Sequence, residues 1–350
     1  MRVLLAGVHG SSGIDTYTRL LATGLARAGH RVLVIDRSSD GFESGVPGVE
    51  VARLRPPRNR VRRVVGSLEA LPFQRRVRRL ALDWGADVVH ATHTSIAPPR
   101  WPSLVVNVWD PEPSAVARAR LARERGLRPW PEAIFAISDA LAERRAAALV
   151  AVTKTVGEAS ARRHRRAEWV PPFVLDDEIA EASKERSDTC VMVANRLDDP
   201  RKNLDLAVES VARVRRHAPG LRLVLVGAWG SPQRQEALPD FCEPTGRLSS
   251  DEVARVLGGA DCCVLPSVWE EFGYAGLEAL AAGAPLVCGP LPAFTDMSSG
   301  VFVSESLEPR DFAEAIGRAV ESDSFDFPAE CRASSAVPRL VALYESAAGS

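Results

Sequence analysis

Glu270 and Glu278 are the residues best placed to do chemistry in this chain. Seven residues separate them. Between them runs Phe272-Gly273-Tyr274, a turn whose glycine lets the backbone come close to a ligand. A helix-forming segment, Leu277 to Ala282, follows. The first turn of such a helix carries backbone NH groups with no acceptor inside it and the positive end of the helix dipole. Both suit an anionic group such as a diphosphate. Glu270 stands before the helix and Glu278 in its first turns, so the two carboxylates can take hydroxyls on either side of that anion. The pattern fits a nucleotide sugar, with the diphosphate at the helix start and the sugar and ribose on the acids.

A second cluster lies upstream in ANRLDDPRKNLDL, where Arg196 and Lys202 follow a strand-like run with five residues between them. Two fixed cations can bind a diphosphate and stabilise the charge that grows on it as a glycosidic bond breaks. The stretch Pro266, Ser267, Glu270, Phe272, Gly273, Glu278, Ala279 resembles the E-x7-E signature of retaining glycosyltransferases of the GT-B fold, most closely family 4. Its usual form is P-S-x-x-E-G-F-G-x-x-x-x-E-A-x-A, and Glu271 stands here where the first Gly is usual. The Arg196 to Lys202 segment resembles the family's G-R-L-x-x-x-K-G. VLVGAWG, containing Gly227, resembles the strand-loop near the nucleotide. TGRLSS, containing Arg247, resembles the segment that presents backbone to the base.

The resemblance implies a retaining transferase acting on a nucleoside-diphosphate sugar. Arg196, Lys202 and Glu270 would be its catalytic residues. Gly13, Gly227, Arg247, Phe272, Gly273, Tyr274, Ala275 and Glu278 would bind the donor. No cofactor and no metal are expected, no D-x-D pair ends a strand, and a UDP-sugar is favoured over a GDP-sugar as co-substrate.

On the acceptor side the opening loop VHGSSGIDT offers His9, Gly13 and Asp15. Its glycines are spaced G-x-x-G-x-x-G rather than the G-x-G-x-x-G of dinucleotide-binding turns, so the pyrophosphate approach of that motif is not matched. The family usually places a His, or His-Asp, at a strand end beside the sugar. VVNVWDPEP has Trp109 there and keeps Asp110, which leaves His90 or His93 of VVHATHTS as substitutes.

The elements that must position these residues read as alternating short apolar runs and helical periods. In the first half, Val3 to Val8 and Arg31 to Ile35 flank a helix over Thr16 to Ala28, a β-α-β unit that predicts a parallel sheet. Asp87 to His90, Ser103 to Val108, Ala133 to Ile137 and Leu149 to Val152 are further strand candidates. WVPPFVLDDEIA is the expected hinge. Strands at Val191 to Ala194, Leu223 to Val226, Cys262 to Leu265 and Leu286 to Cys288 then alternate with helices at Leu204 to His217 and Glu252 to Leu257. The fold class is α/β, with two doubly wound Rossmann-like domains facing a cleft in the GT-B arrangement. The expected divisions are residues 1–172 on the acceptor side, 173–335 binding the nucleotide sugar, and 336–350 as a C-terminal helix crossing back to the first domain.

Length and composition bound the class. The chain has 350 residues, 46% apolar and 25% charged, with a net charge of −1. That fits two soluble domains and gives no overall pull toward nucleic acid. No apolar run spans a bilayer and the N-terminus lacks a signal-peptide layout, so the cytoplasm is the expected location. The six cysteines form no C-x-x-C and read as reduced thiols. Residues 53–79 hold ten arginines and one acid, with Val61, Val64, Val65 and Leu68 at helical spacing. A basic amphipathic helix there allows weak contact with an anionic membrane.

Alanine and arginine richness points to a high-GC bacterial origin. A small-molecule acceptor, as in secondary metabolism, is the leading expectation, and a membrane glycolipid the alternative. A GT-B binding or partner-activating subunit with impaired catalysis, and an NAD-dependent enzyme, are the readings from other classes. The oligomeric state is left open.

Overall fold

Parallel strands are covered on both faces, so they read as continuous apolar runs rather than alternating ones. The computed structural model places such runs in two sheets, and every strand pairing in them is parallel. It describes residues 1–7, 13–36, 45–54, 70–110, 114–124, 126, 129–180, 187–322 and 325–349. Two compact units result, Met1–Phe173 with Ala333–Ser350, and Val174–Arg332. The boundary lies inside the proline-stiffened WVPPFVLDDEIA stretch.

The first unit runs β1 (Arg2–Ala6), α1 (Gly13–Arg27), β2 (Arg31–Asp36), β3 (Val49–Arg53), α2 (Ala70–Trp84), β4 (Val88–Ala91), β5 (Leu104–Val108), α3 (Ala115–Glu124), α4 (Pro129–Glu143), β6 (Ala148–Ala151), α5 (Lys154–Ala161) and β7 (Ala167–Trp169). Its sheet order is β3-β2-β1-β4-β5-β6-β7. Phe73, Val77 and Ala81 of α2, Ala142 of α4 and Val156 of α5 share one core with Leu4, Ile35, Val89, Val106 and Leu149 of the sheet.

The second unit runs β8 (Thr189–Arg196), α6 (Leu204–Val214), β9 (Arg222–Ala228), α7 (Pro232–Glu236), β10 (Cys242–Gly246), α8 (Ser250–Gly258), β11 (Cys262–Leu265), α9 (Tyr274–Ala281), β12 (Leu286–Cys288), α10 (Pro292–Thr295), β13 (Val301–Val303) and α11 (Pro309–Glu321). Its order, β10-β9-β8-β11-β12-β13, repeats the doubly wound pattern. The start of α8 is fixed by a capping box in which Ser249 accepts from the Glu252 amide and Glu252 accepts from the Ser249 amide. All six cysteines are buried and unbridged.

The last helix, α12 (Ala333–Ala348), belongs to the first unit, where it packs on α1 and touches β4, β5 and β6. Tyr344 and Leu340 are fully buried there.

One expected strand is a helix. Ala133 to Ile137 lies inside α4, which begins at Pro129 and sets Trp130, Ile134, Ile137 and Leu141 at a 3.6-residue period. An apolar run of five residues does not separate strand from helix by itself. Helix α1 begins at Gly13, inside the expected opening loop. His9 and residues 55–69, with Val61, Val64, Val65 and Leu68, lie outside the described residues; Arg75, Arg76, Arg78 and Arg79 are in α2.

Candidate active site

In a doubly wound sheet the chain leaves the first strand toward one edge and later returns to start toward the other. The loops at that switch open a crevice at the carboxyl ends of the two central strands. In the second unit those strands are β8 and β11, which pair directly, Cys190 against Cys262 and Cys263 against Val191. Arg196 ends β8 and Lys202 ends the single 3₁₀ turn Pro200–Lys202 that follows it. Glu270 lies in the loop after β11. The two loops are tied by the Val268 amide, which donates to the Arg201 carbonyl at 2.9 Å.

That tie brings together residues 68 apart in sequence: Lys202 Nζ donates to Glu270 Oε1 in an ion pair. The Ser267 hydroxyl donates to the same oxygen at 2.8 Å, and Ser267 is 1% exposed. Lys202 and Glu270 are 22% and 12% exposed at their side chains, so the pair is largely withdrawn from water. An ammonium has three protons to donate, and one is taken by Glu270.

Arg196 is held differently. Its Nε donates to Asp198 Oδ1 at 3.1 Å, and Asp198 Oδ2 accepts from the Gly230 amide at 3.1 Å. The Asp198 carboxylate raises the Arg196 pKa and is itself lowered by the guanidinium. Arg201 turns back onto Asp199, Nη2 to Oδ2 at 2.7 Å, which lowers the Asp199 pKa in turn.

Two glycines of these loops and strands stand where no side chain fits without a clash. Gly227 in β9 has φ 151°, and a Cβ there would sit 2.0 Å from the Ala194 carbonyl oxygen, so no side chain fits. Gly273 caps α9 in the left-handed region at φ 78°, and a Cβ there would meet Phe294 at 2.6 Å. The chain therefore enters α9 in a conformation that favours glycine, with Tyr274 and Ala275 in the first turn. Phe272 and Tyr274 are buried, their rings edge to face at 5.6 Å between centroids, so these two side chains support the loop. Glu278 is half-buried in the second turn of α9. Arg247 follows β10, exposed and without an ion pair among the described residues.

The first unit has its own switch between β1 and β4. Gly13 opens α1 there and Asp15 lies in its first turn. His93 follows β4, half-buried. Trp109, at the end of β5, donates Nε1–H to the Thr92 carbonyl at 2.8 Å and sets its ring edge to face with Tyr17 at 5.6 Å. Its one polar group is thus already used by the protein. Asp110 faces Arg118 Nε at 3.6 Å in a buried pair, and Arg118 also donates to Asp139 at 2.5 Å.

His90 is fully buried between Asn107 Oδ1 (2.5 Å from Nε2) and the Tyr344 hydroxyl (2.5 Å from Nδ1). Burial pushes its pKa down to about 4. Both of its ring nitrogens are thus taken within the first unit, one of them by α12. Among the described residues no group of three or more His, Cys, Asp and Glu is arranged to hold a metal ion.

Residue types and spacing assign no role to Ser267 or Asp198, although both hold a candidate group in place. Ser267 with Glu270 three residues on is a visible S-x-x-E pair, the spacing at which such side chains meet.

Two doubly wound units, one carrying cations, an acid and a glycine-capped helix at its switch point, define a two-unit α/β protein. Residues 188–322 match the family described as Glycosyl transferases group 1, and residues 12–172 match the Glycosyl transferase 4-like domain. The chain belongs to this family of GT-B glycosyltransferases. D-inositol 3-phosphate glycosyltransferase of a Nocardioides species is 31% identical over 36% of this chain and 33% of its own length. Phosphatidyl-myo-inositol mannosyltransferase of Propionibacterium freudenreichii is 29% identical over 43% of this chain and 41% of its own length. These matches thus span about a third to two-fifths of the relatives. Sucrose-phosphate synthase from Thermosynechococcus elongatus shares the fold, with a TM-score of 0.67 at 19% identity, covering 99% of this chain and 96% of that one.

Proposed function

We propose that this chain moves a sugar from a nucleoside-diphosphate sugar, a UDP-sugar in preference to a GDP-sugar, to a hydroxyl of a small-molecule acceptor. The transfer retains the anomeric configuration and needs no metal ion. The observation that carries the reading is the meeting of Lys202 and Glu270 at the β8–β11 switch, beside the start of α9. A diphosphate seated there meets the remaining protons of Lys202, the Arg196 guanidinium and the amides of the first turn of α9. Glu270 then takes sugar hydroxyls and Glu278 the ribose.

As the bond from the anomeric carbon to the phosphate oxygen breaks, its electron pair passes to that oxygen. The cations stabilise the growing charge more than they stabilise the ground state. The acceptor oxygen bonds to the anomeric carbon from the same face, and its proton passes to the departing phosphate. No other base is required.

The test is the anomeric configuration of the product by NMR, with turnover measured in chelator. Retained configuration and unchanged turnover are expected. An inverted product overturns retention, and turnover that dies in chelator and returns with a divalent cation overturns metal independence. The small-molecule acceptor accords with the inositol phosphate in the first relative's name. A second reading, transfer to a membrane glycolipid, is favoured by the exposed basic and apolar side chains of α2 and α4 and accords with the phosphatidyl-inositol in the other's name.

A further inference from the structure

Helix α4 turns part of its apolar stripe outward. Trp130, Ile137 and Leu141 are 53%, 54% and 46% exposed, while Ala136 and Ala142 of the same helix are buried. At ~100° per residue the three exposed positions lie within an arc of ~40°, a line ~16 Å long. Such contiguous apolar exposure marks a docking surface, whereas single exposed apolar residues do not.

The charges around this line identify what it docks on. Helices α2 and α4 share one core cluster on one face of the sheet, so their outer sides look the same way. The outer side of α2 carries Arg75, Arg76, Arg78 and Arg79, with Leu82 54% exposed. Helix α3, packed on α4, exposes Val116, Arg120 and Arg123, and Arg144 and Arg145 follow α4. Among the described side chains of this surface, two exposed carboxylates oppose these eight arginines. Asp83 faces Arg79 at 3.8 Å and Glu124 faces Arg120 at 2.9 Å. The chain as a whole has a net charge of −1, so this surface is more positive than the chain overall.

We propose that the outer side of α2, α3 and α4 docks on an anionic lipid bilayer. Trp130, Ile137 and Leu141 enter the interface between headgroups and acyl chains, and the arginines lie against lipid phosphates. A second copy meeting this face symmetrically would set the same arginines against one another. The bilayer supplies both the apolar layer and the negative charge. Docking of this kind does not depend on the glycosyl-transfer reading, and a soluble acceptor is compatible with it.

The test is flotation of the full chain with phosphatidylcholine vesicles, with or without about one-third phosphatidylglycerol. The chain is expected to float with the anionic vesicles alone and to be released by high salt. Trp130→Ser with Ile137→Ser and Leu141→Ser should weaken binding at least about tenfold. Replacing Arg78 and Arg79 by Ala should weaken it about fivefold per arginine. Both variants should keep the thermal shift of the parent with a nucleoside diphosphate, since neither surface holds a donor group. Failure to float, equal binding to neutral vesicles, or a triple-serine variant that floats like the parent would each overturn the proposal. Self-association abolished by the same serines, without flotation, would assign the face to a second copy.

Discussion

Glu270 Oε1 accepts from two donors, the Lys202 ammonium and the Ser267 hydroxyl, and this sharing decides what each residue is worth. Ser267 is buried and its hydroxyl has no freedom to serve a ligand, so its effect must pass through the carboxylate. Ser267→Ala should therefore lower kcat about tenfold with little change in KM, and Ser267→Thr should recover part of the loss. An unchanged kcat in the alanine variant would mean that Lys202 alone sets the carboxylate. Lys202→Ala removes both a cation at the diphosphate and the partner of a nearly buried acid, and turnover should fall about 10²- to 10³-fold. Arg196→Ala should cost less, because Arg196 is 59% exposed and already committed to Asp198; steady-state rates of the two variants side by side settle the order. Residue types and spacing made Arg196, Lys202, Glu270 and Glu278 legible as candidates. The ion pair between Lys202 and Glu270 was not, since it rests on the adjacency of β8 and β11 and on one backbone hydrogen bond between their loops.

At the scale of elements, the docking of α12 depends on a histidine that must stay neutral. Asn107 Oδ1 can only accept, so His90 Nε2 carries the proton and Nδ1 accepts from the Tyr344 hydroxyl. Burial lowers the folded-state pKa to about 4, while the unfolded chain takes up the proton near 6.5. Between those values the unfolded state binds more protons. The contribution is thus fully present above pH 6.5 and is lost as the pH falls toward 4, amounting to about 2.5 kcal/mol by pH 4.5. Urea denaturation at pH 7 and pH 4.5 should show this loss in the parent and a smaller one in His90→Gln; equal losses would remove His90 as the cause. The same element shows what the sequence hides. His90 at a strand end reads as a catalytic candidate until α12, 254 residues away, is seen to cover it. The strands follow a related rule. Those legible as apolar runs are the inner ones, whereas β3, β7, β10 and β13 are the four sheet edges. Of these, β3, β7 and β13 are only partly buried, and β3 (VEVAR) and β7 (AEW) interrupt their apolar residues with charge, so those two lack the continuous apolar run that marks a buried parallel strand.

For the whole molecule, the division of labour between the two units makes a thermodynamic prediction. All the groups proposed for the diphosphate, Arg196, Lys202 and the start of α9, belong to the unit Val174–Arg332. A ligand that binds the folded state alone, present at ~100 times its Kd, adds about 2.7 kcal/mol. For a unit of this size that is an upward shift of ~5–10 °C in Tm. Calorimetry with UDP, GDP, ADP, dTDP and NAD at equal concentration should show such a shift with one nucleoside diphosphate, UDP before GDP, and none with NAD. If the two units melt as separate transitions, the second unit's should move most. Lys202→Ala should abolish the shift while leaving the ligand-free transitions in place. A shift with NAD alone would defeat the nucleotide-sugar reading. A nucleoside-diphosphate shift that survives Lys202→Ala would place the phosphates away from the β8–β11 switch. A shift without any donor turnover would mean a chain that keeps the binding half of the family's chemistry and has lost the other, the outcome that Trp109 in place of the family's histidine makes worth measuring first.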